Sequence, residues 1–513
     1  MRQPTVTRRI SQTYSVPAPT KGWNTLDSIA LMDEHYAVIL KNFIPTSSSV
    51  ALRSGSVIQS SGITGRVESL FVYNNGSSSK IFGAVTGSIY DVTTAGAVGA
   101  AVVTGKTTPR WQYVNFATPG GYYMYLVNGV DSPLLFDGTT WTVITAVSTP
   151  AITGITTSSL INVTSFKNRL WFVETNSLRA WYLPTASIGG AANVLDLSSV
   201  FPRGGYLMAM GDWTLDGGQG MDDYAVFISS EGEVAVYKGT DPASAATWYL
   251  VGVYQIGSPI GRRCMVKFAS DLLIINQDGL QLMSAALSSS RAYKQPSVTD
   301  KIQPTISNAV STYKTNFGWE TTLCSKQGLL MLNVPSTGGS QQFVMHTNTN
   351  GWCNFTGWDA ACFEVMNDEV YFGTTNFVMK AFTGTADNGA GIFGEALQAF
   401  SYMGTSNIKY FEMARPIISV DTNNVGILLG LNVDYDLTAP IGAPTFTAST
   451  IGAWDSALWD VGIWGGSLTI KKDWQTVGGI GYAGALHMKT QSSTANMQWS
   501  STDYSYTPGS GFV

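Results

Sequence analysis

Short runs of β-prone residues alternate with turn residues through most of this sequence, and this pattern restricts the chain to an all-β fold. The clearest example is residues 122–144, which read Tyr-Tyr-Met-Tyr-Leu-Val, Asn-Gly-Val-Asp-Ser-Pro, Leu-Leu-Phe, Asp137-Gly138 and Thr-Thr-Trp-Thr-Val-Ile. Asp-Gly between β-prone runs favours a two-residue type I′ turn, because that turn needs positive φ at both positions. The stretch therefore predicts three antiparallel strands, with Asp137 as a turn former and not a catalyst.

Looser copies of this pattern recur, and successive groups begin roughly 40–60 residues apart, the spacing of four-stranded propeller blades. The groups lie at residues 69–92, 122–144, 167–183, 224–238, 264–283, 329–355 and 362–382. A propeller suits such material because each small sheet buries both faces and ring closure hides the edges. The sequence predicts a β-propeller body of six to eight blades; tandem β-sandwiches are the alternative.

Length and composition indicate several folded domains. A chain of 513 residues is too long for one core, and 44% hydrophobic with only 12% charged residues excludes intrinsic disorder. The predicted boundaries are residues 1–60 for an N-terminal arm and connecting segment, 61–385 for the propeller, and 386–513 for a separate β-sandwich-like domain. Within them, near-helical spacing predicts a short helix or broken turn in residues 26–43 and a helix in residues 299–313, with Thr299 as its cap.

Charge and cysteine content exclude several functions. The net charge of −5 provides no global basic field for nucleic acid. No apolar run is long enough for a transmembrane helix, and the first residues do not resemble a secretory signal. The four cysteines contain no C-x-x-C pair, and buried free thiols are expected; Cys353 and Cys362 are the best disulfide candidates.

No residue pattern nominates a catalytic, metal or cofactor site. His35, His346 and His487 lie far apart without a nucleophile elbow or the spacing of metal ligands. One acidic cluster occurs in a Gly-rich stretch predicted to be a connecting loop: Asp212, Asp216, Asp222 and Asp223. Calcium binding and paired-carboxylate glycoside hydrolysis are the alternatives weighed for it. The sequence therefore favours a structural or binding protein over an enzyme.

A signature near the N-terminus carries a family resemblance. Residues 32–55 follow the pattern M-x4-A-x2-L-x-N-F-x-P-x4-V-x-L-R-x-G, and further echoes are residues 135–141, 271–283, Arg415-Pro416 and the Trp-rich residues 454–466 with residues 478–482. This resembles the tail hub or nozzle proteins, also called packaged-DNA stabilisation proteins, of short-tailed bacteriophages.

The resemblance implies a propeller body in a hexameric ring that forms the distal tail tube of the virion. Such a ring, assembled in the host cytoplasm, retains packaged double-stranded DNA and conducts it during ejection without sequence-specific binding. The implied partners are adaptor or portal-side proteins and tail fibres, with no cofactor and no membrane span. On this hypothesis Asp212, Asp216, Asp222 and Asp223 are candidates for a channel or gate loop, since acids limit adhesion to phosphate. Arg2, Arg8 and Arg9 are candidates for a partner-binding arm.

Two other functional classes remain open from the sequence. One is a carbohydrate-binding or carbohydrate-cleaving propeller, and the other is a receptor-binding adhesin at an exposed tip. Glycan binding or hydrolysis would identify the first, and direct binding to host cells would identify the second.

Overall fold

The computed structural model describes residues 10–216, 221–288, 297–421, 425–442 and 469–509. Seven antiparallel groups of strands dominate its middle part, in chain order; five are separate sheets, and the last two are the ends of one 15-stranded sheet. We number these groups as blades 1 to 7. Blade 1 contains Ser69–Asn74, Ser79–Val85, Ser88–Asp91 and Val103–Thr104; blade 2 contains Gln112–Thr118, Gly121–Val127, Leu134–Phe136 and Trp141–Val143; blade 3 contains Leu160–Phe166, Arg169–Glu174, Arg179–Tyr182 and Asn193–Asp196.

The remaining blades follow the same meander. Blade 4 contains Leu207–Asp216, Met221–Ser229, Glu233–Gly239 and Trp248–Gln255; blade 5 contains Met265–Phe268, Asp271–Asn276 and Gly279–Leu282; blade 6 contains Glu320–Cys324, Leu329–Val334, Gln341–His346 and Trp352–Phe355; blade 7 contains Cys362–Met366, Glu369–Gly373 and Val378–Ala381 together with Ser56–Ser61. Each of the seven groups recognised in the sequence falls within one blade.

The first strand of every blade is the innermost, and these strands contact one another around a closed ring. The innermost strand of each blade packs beside that of the next, and the innermost strand of blade 7 packs against that of blade 1. The body is therefore a β-propeller with seven blades, within the predicted range of six to eight.

The N-terminal part of the chain closes this ring. Ser56–Ser61 pairs antiparallel with Val378–Ala381 and so supplies the outermost strand of blade 7. Residues 1–60 were predicted to be an arm and connecting segment, but the strands within them belong to the last blade and to the second domain. The local pattern gave no sign of this because the pairing partners lie more than 300 residues downstream.

The second domain is a β-sandwich built from both ends of the chain, and one of its two layers is continuous with blades 6 and 7 in a single sheet. One layer contains Gln12–Pro17, Phe43–Pro45, Val50–Leu52, Lys409–Val420, Thr469–Lys471, Gln475–Gly481 and Met497–Pro508; the other, continuous layer contains Gly22–Trp23, Tyr36–Lys41, Ala390–Gln398, Val425–Val433 and Gly484–Ser492. Phe43, Met488 and Trp499 are fully buried in one hydrophobic core. The predicted sandwich-like domain is present, completed by N-terminal strands.

Short elements fill the connections. Small strands lie at Gly96–Ala97, Ile152–Thr153, Gly190–Ala191 and Ala386–Asp387; 3-10 turns lie at Thr157–Ser159, Asp300–Ile302 and Ser325–Gln327; α-helices lie at Met283–Ser288 and Gln303–Tyr313. The predicted helix of residues 299–313 is thus present, with Ile306, Ala309 and Val310 buried. The predicted cap is wrong, because Thr299 makes no capping bond and its hydroxyl accepts a hydrogen bond from the amide of Leu280 instead.

Two local predictions are corrected. Residues 26–43 contain no helix: residues 29–31 form a turn, which was the alternative, and the rest of the near-helical spacing reflects the strand Tyr36–Lys41, whose register shifts between Ala37 and Ile39. This irregularity breaks the two-residue alternation that normally marks a strand. At Asp137-Gly138 the pair Phe136 and Trp141 closes a four-residue loop, in which only Gly138 has positive φ, so the turn is not type I′.

The four cysteines are all buried free thiols, as expected from the sequence. Burial raises the pKa of Cys264 and that of Cys324 to about 12, so neither is a thiolate at neutral pH. Among the described residues, no helix has the length and apolar composition needed to cross a bilayer.

Candidate functional site

The centre of the propeller contains a cavity of about 280 Å³ to which all seven blades contribute side chains. Leu70, Tyr113, Val163, Asp212, Lys267, Glu320 and Glu364 each come from the innermost strand of a different blade. These positions are separated by tens of residues in sequence, so only ring closure brings them together. We refer to this space as the central channel.

Arg263 ties four blades together beside the channel. It lies just before the innermost strand of blade 5, and its Nη1 is 2.8 Å from Glu320 Oε2 on blade 6. Its Nη2 donates to Ser69 Oγ at 2.6 Å on blade 1 and to the Trp111 carbonyl at 3.1 Å beside blade 2. Burial opposes its charge, but the Glu320 carboxylate outweighs burial and raises the pKa of Arg263. The guanidinium is therefore a charged crosslink across the ring.

Glu364 is the channel group whose charge changes near neutral pH. It lies in the middle of the innermost strand of blade 7. Burial raises its pKa to about 7, although Tyr113 donates a hydrogen bond that favours the carboxylate. A carboxyl group with this pKa exchanges a proton at neutral pH, which is the property that a general acid needs. Sequence analysis recognised this strand without singling out Glu364.

The acidic cluster predicted from the sequence lies on strands and not in a loop. Pairing between the first two strands of blade 4 continues as far as Asp216 and Met221, and this places all four aspartates within the hairpin. Asp212 lines the channel and forms an ion pair with Lys267. Asp223 Oδ2 lies 2.6 Å from Lys167 Nζ, so lysines neutralise both of these carboxylates.

The other predicted site residues cannot be placed. The side chains of Asp216 and Asp222 lie outside the described part of the structure, as do Arg2, Arg8 and Arg9. Their roles as gate and arm residues stay predictions. Among the described residues, no group of three or more histidine, cysteine, aspartate or glutamate side chains is placed to hold a metal ion.

All ten residues of the N-terminal signature are buried: Met32, Ala37, Leu40, Asn42, Phe43, Pro45, Val50, Leu52, Arg53 and Gly55. Arg53 lies at their centre, and its side chain is only 1% exposed. Its Nη1 and Nη2 bind Asp387 Oδ1 at 3.0 Å and Oδ2 at 2.6 Å, and its Nε donates to Asn42 Oδ1 at 2.9 Å. Carbonyls of Ser54 and Thr356 accept the remaining two donors.

This Arg53 cluster joins the propeller to the sandwich. The guanidinium stacks on Trp358, with 4.6 Å from its carbon to the ring centroid, and the Trp358 indole donates to Asp387 Oδ1 at 2.8 Å. Gly55 is required beside it, because a Cβ there would lie 2.0 Å from the Ala386 carbonyl oxygen. The signature therefore encodes the junction between the two domains.

Comparison with known proteins returned no matching family model and no matching curated protein. The extracellular domain of a hybrid two-component system from B. thetaiotaomicron matches with a TM-score of 0.41 and 12% identity, over 65% of this chain and 41% of that one. The β-propeller domain of Cps50 (Swd1) from Myceliophteria thermophila matches with a TM-score of 0.41 and 10% identity, over 64% of this chain and 99% of that one. The chain thus spans less than half the length of the first of these, and the propeller assignment rests on strand pairing.

Proposed function

We propose that this protein is a non-catalytic structural component of a short-tailed phage virion, the ring-shaped distal nozzle or hub that retains and conducts packaged DNA. The observation that supports the proposal is the Arg53 junction. A chance match of common residues would scatter over surface and core, whereas all ten signature positions are buried, and Asn42, Arg53 and Gly55 lie at the interdomain contact. The signature residues thus include the contact between the two domains, so the resemblance reflects how the domains are joined and not merely a similar composition.

Ring assembly requires a surface that another copy covers, and the outer strand of blade 4 has the required character. Trp248–Gln255 is the terminal strand of its sheet. Tyr249, Leu250, Val251 and Val253 are 51%, 41%, 45% and 39% exposed. An exposed apolar edge strand is a liability in a monomer and is normally covered. We assign this edge to contact with a neighbouring copy of the chain.

The test is the oligomeric state of the full chain by mass photometry and negative-stain imaging. We expect closed rings of six copies, and we expect the double variant Tyr249→Lys/Val251→Lys to release monomers. Val194→Lys is the matched control, because Val194 is a single exposed valine, 46% exposed, on the outer strand of blade 3. A strictly monomeric protein at high concentration, alone and with tail adaptor proteins, would refute the proposal. If the double variant still forms rings, the contact between copies lies elsewhere than on the outer strand of blade 4.

Carbohydrate cleavage is a second candidate, favoured by one observation in the channel. Glu364 has a pKa of about 7, and Glu320 provides a second carboxylate in the same cavity. A proton-donating and an ionised carboxyl group are the usual pair in glycoside hydrolysis. Release of reducing sugar from bacterial polysaccharides, lost in Glu364→Gln, would establish it. Glu412→Gln should keep the activity, because Glu412 is exposed on Lys409–Val420 in the second domain and does not line the channel. No release from any of them would retire it.

A further inference from the structure

A second cavity, of about 400 Å³, opens on one face of the propeller next to the central channel. It lies between the segments that precede the innermost strands of blades 2, 5 and 6. Four charged residues line it, and all four are basic: Arg110, Arg262, Arg263 and Lys314. Its size falls in the range of small-molecule sites. We call it the face cavity.

Two of these four cations are already neutralised. Arg110 Nε lies 2.8 Å from Glu68 Oε2, and Arg263 Nη1 lies 2.8 Å from Glu320 Oε2. Both guanidiniums also stack on Phe317, at 4.4 Å and 5.1 Å from the ring centroid. These two arginines are held rigidly and contribute little net charge.

Arg262 is different, because no carboxylate among the described residues compensates it. Its Nη1 donates to the carbonyls of Leu207 at 2.6 Å and Met208 at 3.1 Å, and its guanidinium carbon lies 5.0 Å from the centroid of the Tyr206 ring. Burial lowers its pKa, which is the sign of a cation without a counter-charge. Its Nε and Nη2 groups have no protein partner in the described part of the chain.

Lys314 and Gln112 add further donors to the face cavity, while Asn316 Oδ1 and the Thr315 hydroxyl provide acceptors. Lys314 is exposed at the rim and forms no ion pair with any described residue. The side-chain Oε1 of Gln112 accepts a hydrogen bond from Asn162 Nδ2 at 2.5 Å, so the side-chain Nε2 is left to donate. Val130 and Ile161 supply an apolar wall. A ligand that satisfies Arg262 and Lys314 carries negative charge, and hydroxyl groups on it can both accept from Gln112 and donate to Asn316.

We propose that the face cavity binds a monosaccharide-sized organic anion, a hydroxylated ring carrying one carboxylate or phosphate group. The anionic group lies against Arg262 and Lys314, the hydroxyl groups accept from Gln112, and the ring packs on Val130 and Ile161. This site is independent of the proposed tail function. A DNA duplex is far wider than the cavity, so the observations favour a small ligand over a nucleic acid.

The experiment is isothermal titration of the full chain with glucuronic acid, glucose 6-phosphate, inorganic phosphate and neutral glucose. Glucose differs from the first two chiefly in lacking the charge, and the carboxylate and phosphate arms identify which anion the site prefers. We expect at least one sugar anion to bind with one-to-one stoichiometry and at least about tenfold more tightly than glucose. Raising the salt concentration should weaken binding, because the attraction is electrostatic.

Three variants locate the site. Arg262→Gln should weaken binding at least about tenfold, and Lys314→Gln about threefold, since a rim charge is partly screened. Thr315→Glu should block binding by adding a carboxylate at an exposed rim position. Arg179→Gln is the matched control, because Arg179 forms an ion pair with Glu174 on blade 3, outside the cavity. If Arg262→Gln does not fold, the two exposed rim variants decide.

Four results would overturn the proposal. One is the absence of binding by both sugar anions at about 10 mM, a concentration that detects even millimolar affinity. A second is glucose binding as tightly as the anions, and a third is binding unchanged in the rim variants. The fourth is a short DNA duplex that binds through Arg262 while neither sugar anion does, which would indicate a nucleic-acid surface instead.

Discussion

Arg53 at the domain junction and Arg262 on the propeller face are both withdrawn from solvent, yet their environments differ. All five N–H donors of Arg53 have acceptors, two of which belong to the Asp387 carboxylate. Arg262 uses one nitrogen, on two backbone carbonyls, and has no carboxylate partner in the described structure. A saturated arginine holds two domains together, whereas an unsaturated one retains capacity for a ligand. The same side chain can therefore be structural or ligand-binding, depending on how many of its donors the surrounding residues already satisfy.

The largest expected effect on stability comes from replacing Arg53, the arginine whose donors are all paired. Arg53→Met leaves Asp387 with a partly buried, unpaired charge, and we expect a loss of about 3–5 kcal/mol in the free energy of unfolding. Arg415→Met is the control, since Arg415 pairs with Asp503 at 2.6 Å but is itself 31% exposed against 1% for Arg53, and a smaller loss of about 1 kcal/mol is expected there. Thermal denaturation measures both. Equal shifts in Tm would mean that Arg53 is an ordinary surface pair.

An effect of intermediate size on the free energy of unfolding is expected from Glu364 in the central channel. Its buried carboxyl group is neither fully paired, as Arg53 is, nor permanently charged, as Arg262 is. The pKa of Glu364 is about 7 in the folded chain against an ordinary value of 4.5. Its contribution to stability is therefore present below pH 4.5 and is lost as the pH rises through 7. Between pH 4.5 and 8, the free energy of unfolding of the wild-type chain should fall by about 2–3 kcal/mol more than that of Glu364→Gln. Thermal unfolding of both chains across this range tests it.

Glu369→Gln is the control for this measurement. Lys326 holds the pKa of Glu369 below its usual value, so this carboxylate stabilises the fold at high pH and not at low pH. Its replacement should destabilise the chain above about pH 4.5, in the opposite direction to Glu364→Gln. The same trend in both variants would mean that Glu364 titrates as an exposed group.

The smallest effect is expected from the unsaturated arginine. Arg262→Met removes two hydrogen bonds but also a buried charge without a counter-ion, and these terms oppose each other. We expect the free energy of unfolding to stay within about 1 kcal/mol of the wild type, measured by thermal denaturation. A loss as large as that of Arg53→Met would show Arg262 to be structural, and the contrast between the two sites would disappear.

The sequence predicted most of the propeller because its middle and outer strands are strongly β-prone. Val234, Val236 and Leu330, for example, belong to apolar runs that no helix or loop would explain. The innermost strands of blades 2, 3, 4 and 6 were not recognised. Glu320–Cys324, for example, reads Glu-Thr-Thr-Leu-Cys and lacks a β-branched apolar run; its first residue, Glu320, lines the polar channel.

The candidate sites were missed for a related reason. Arg262, Glu320 and Glu364 belong to three different blades, and at least 40 residues separate each from the next in sequence. Their proximity exists only after ring closure, which no local pattern encodes. One signal was present: in a chain with only 12% charged residues, Glu364 stands alone in the middle of an apolar strand. The acidic cluster drew attention instead because its members are adjacent in sequence.

The closing strand of blade 7 also has a consequence for how the protein is made. Ser56–Ser61 is synthesised early, but its partner Val378–Ala381 emerges from the ribosome only after some 300 further residues. At about 5–20 residues per second, the first-made edge waits on the order of 15 to 60 s without its pairing partner. Through that interval the nascent chain carries an open ring with two unpaired edges, which makes this strand a natural substrate for chaperones during translation.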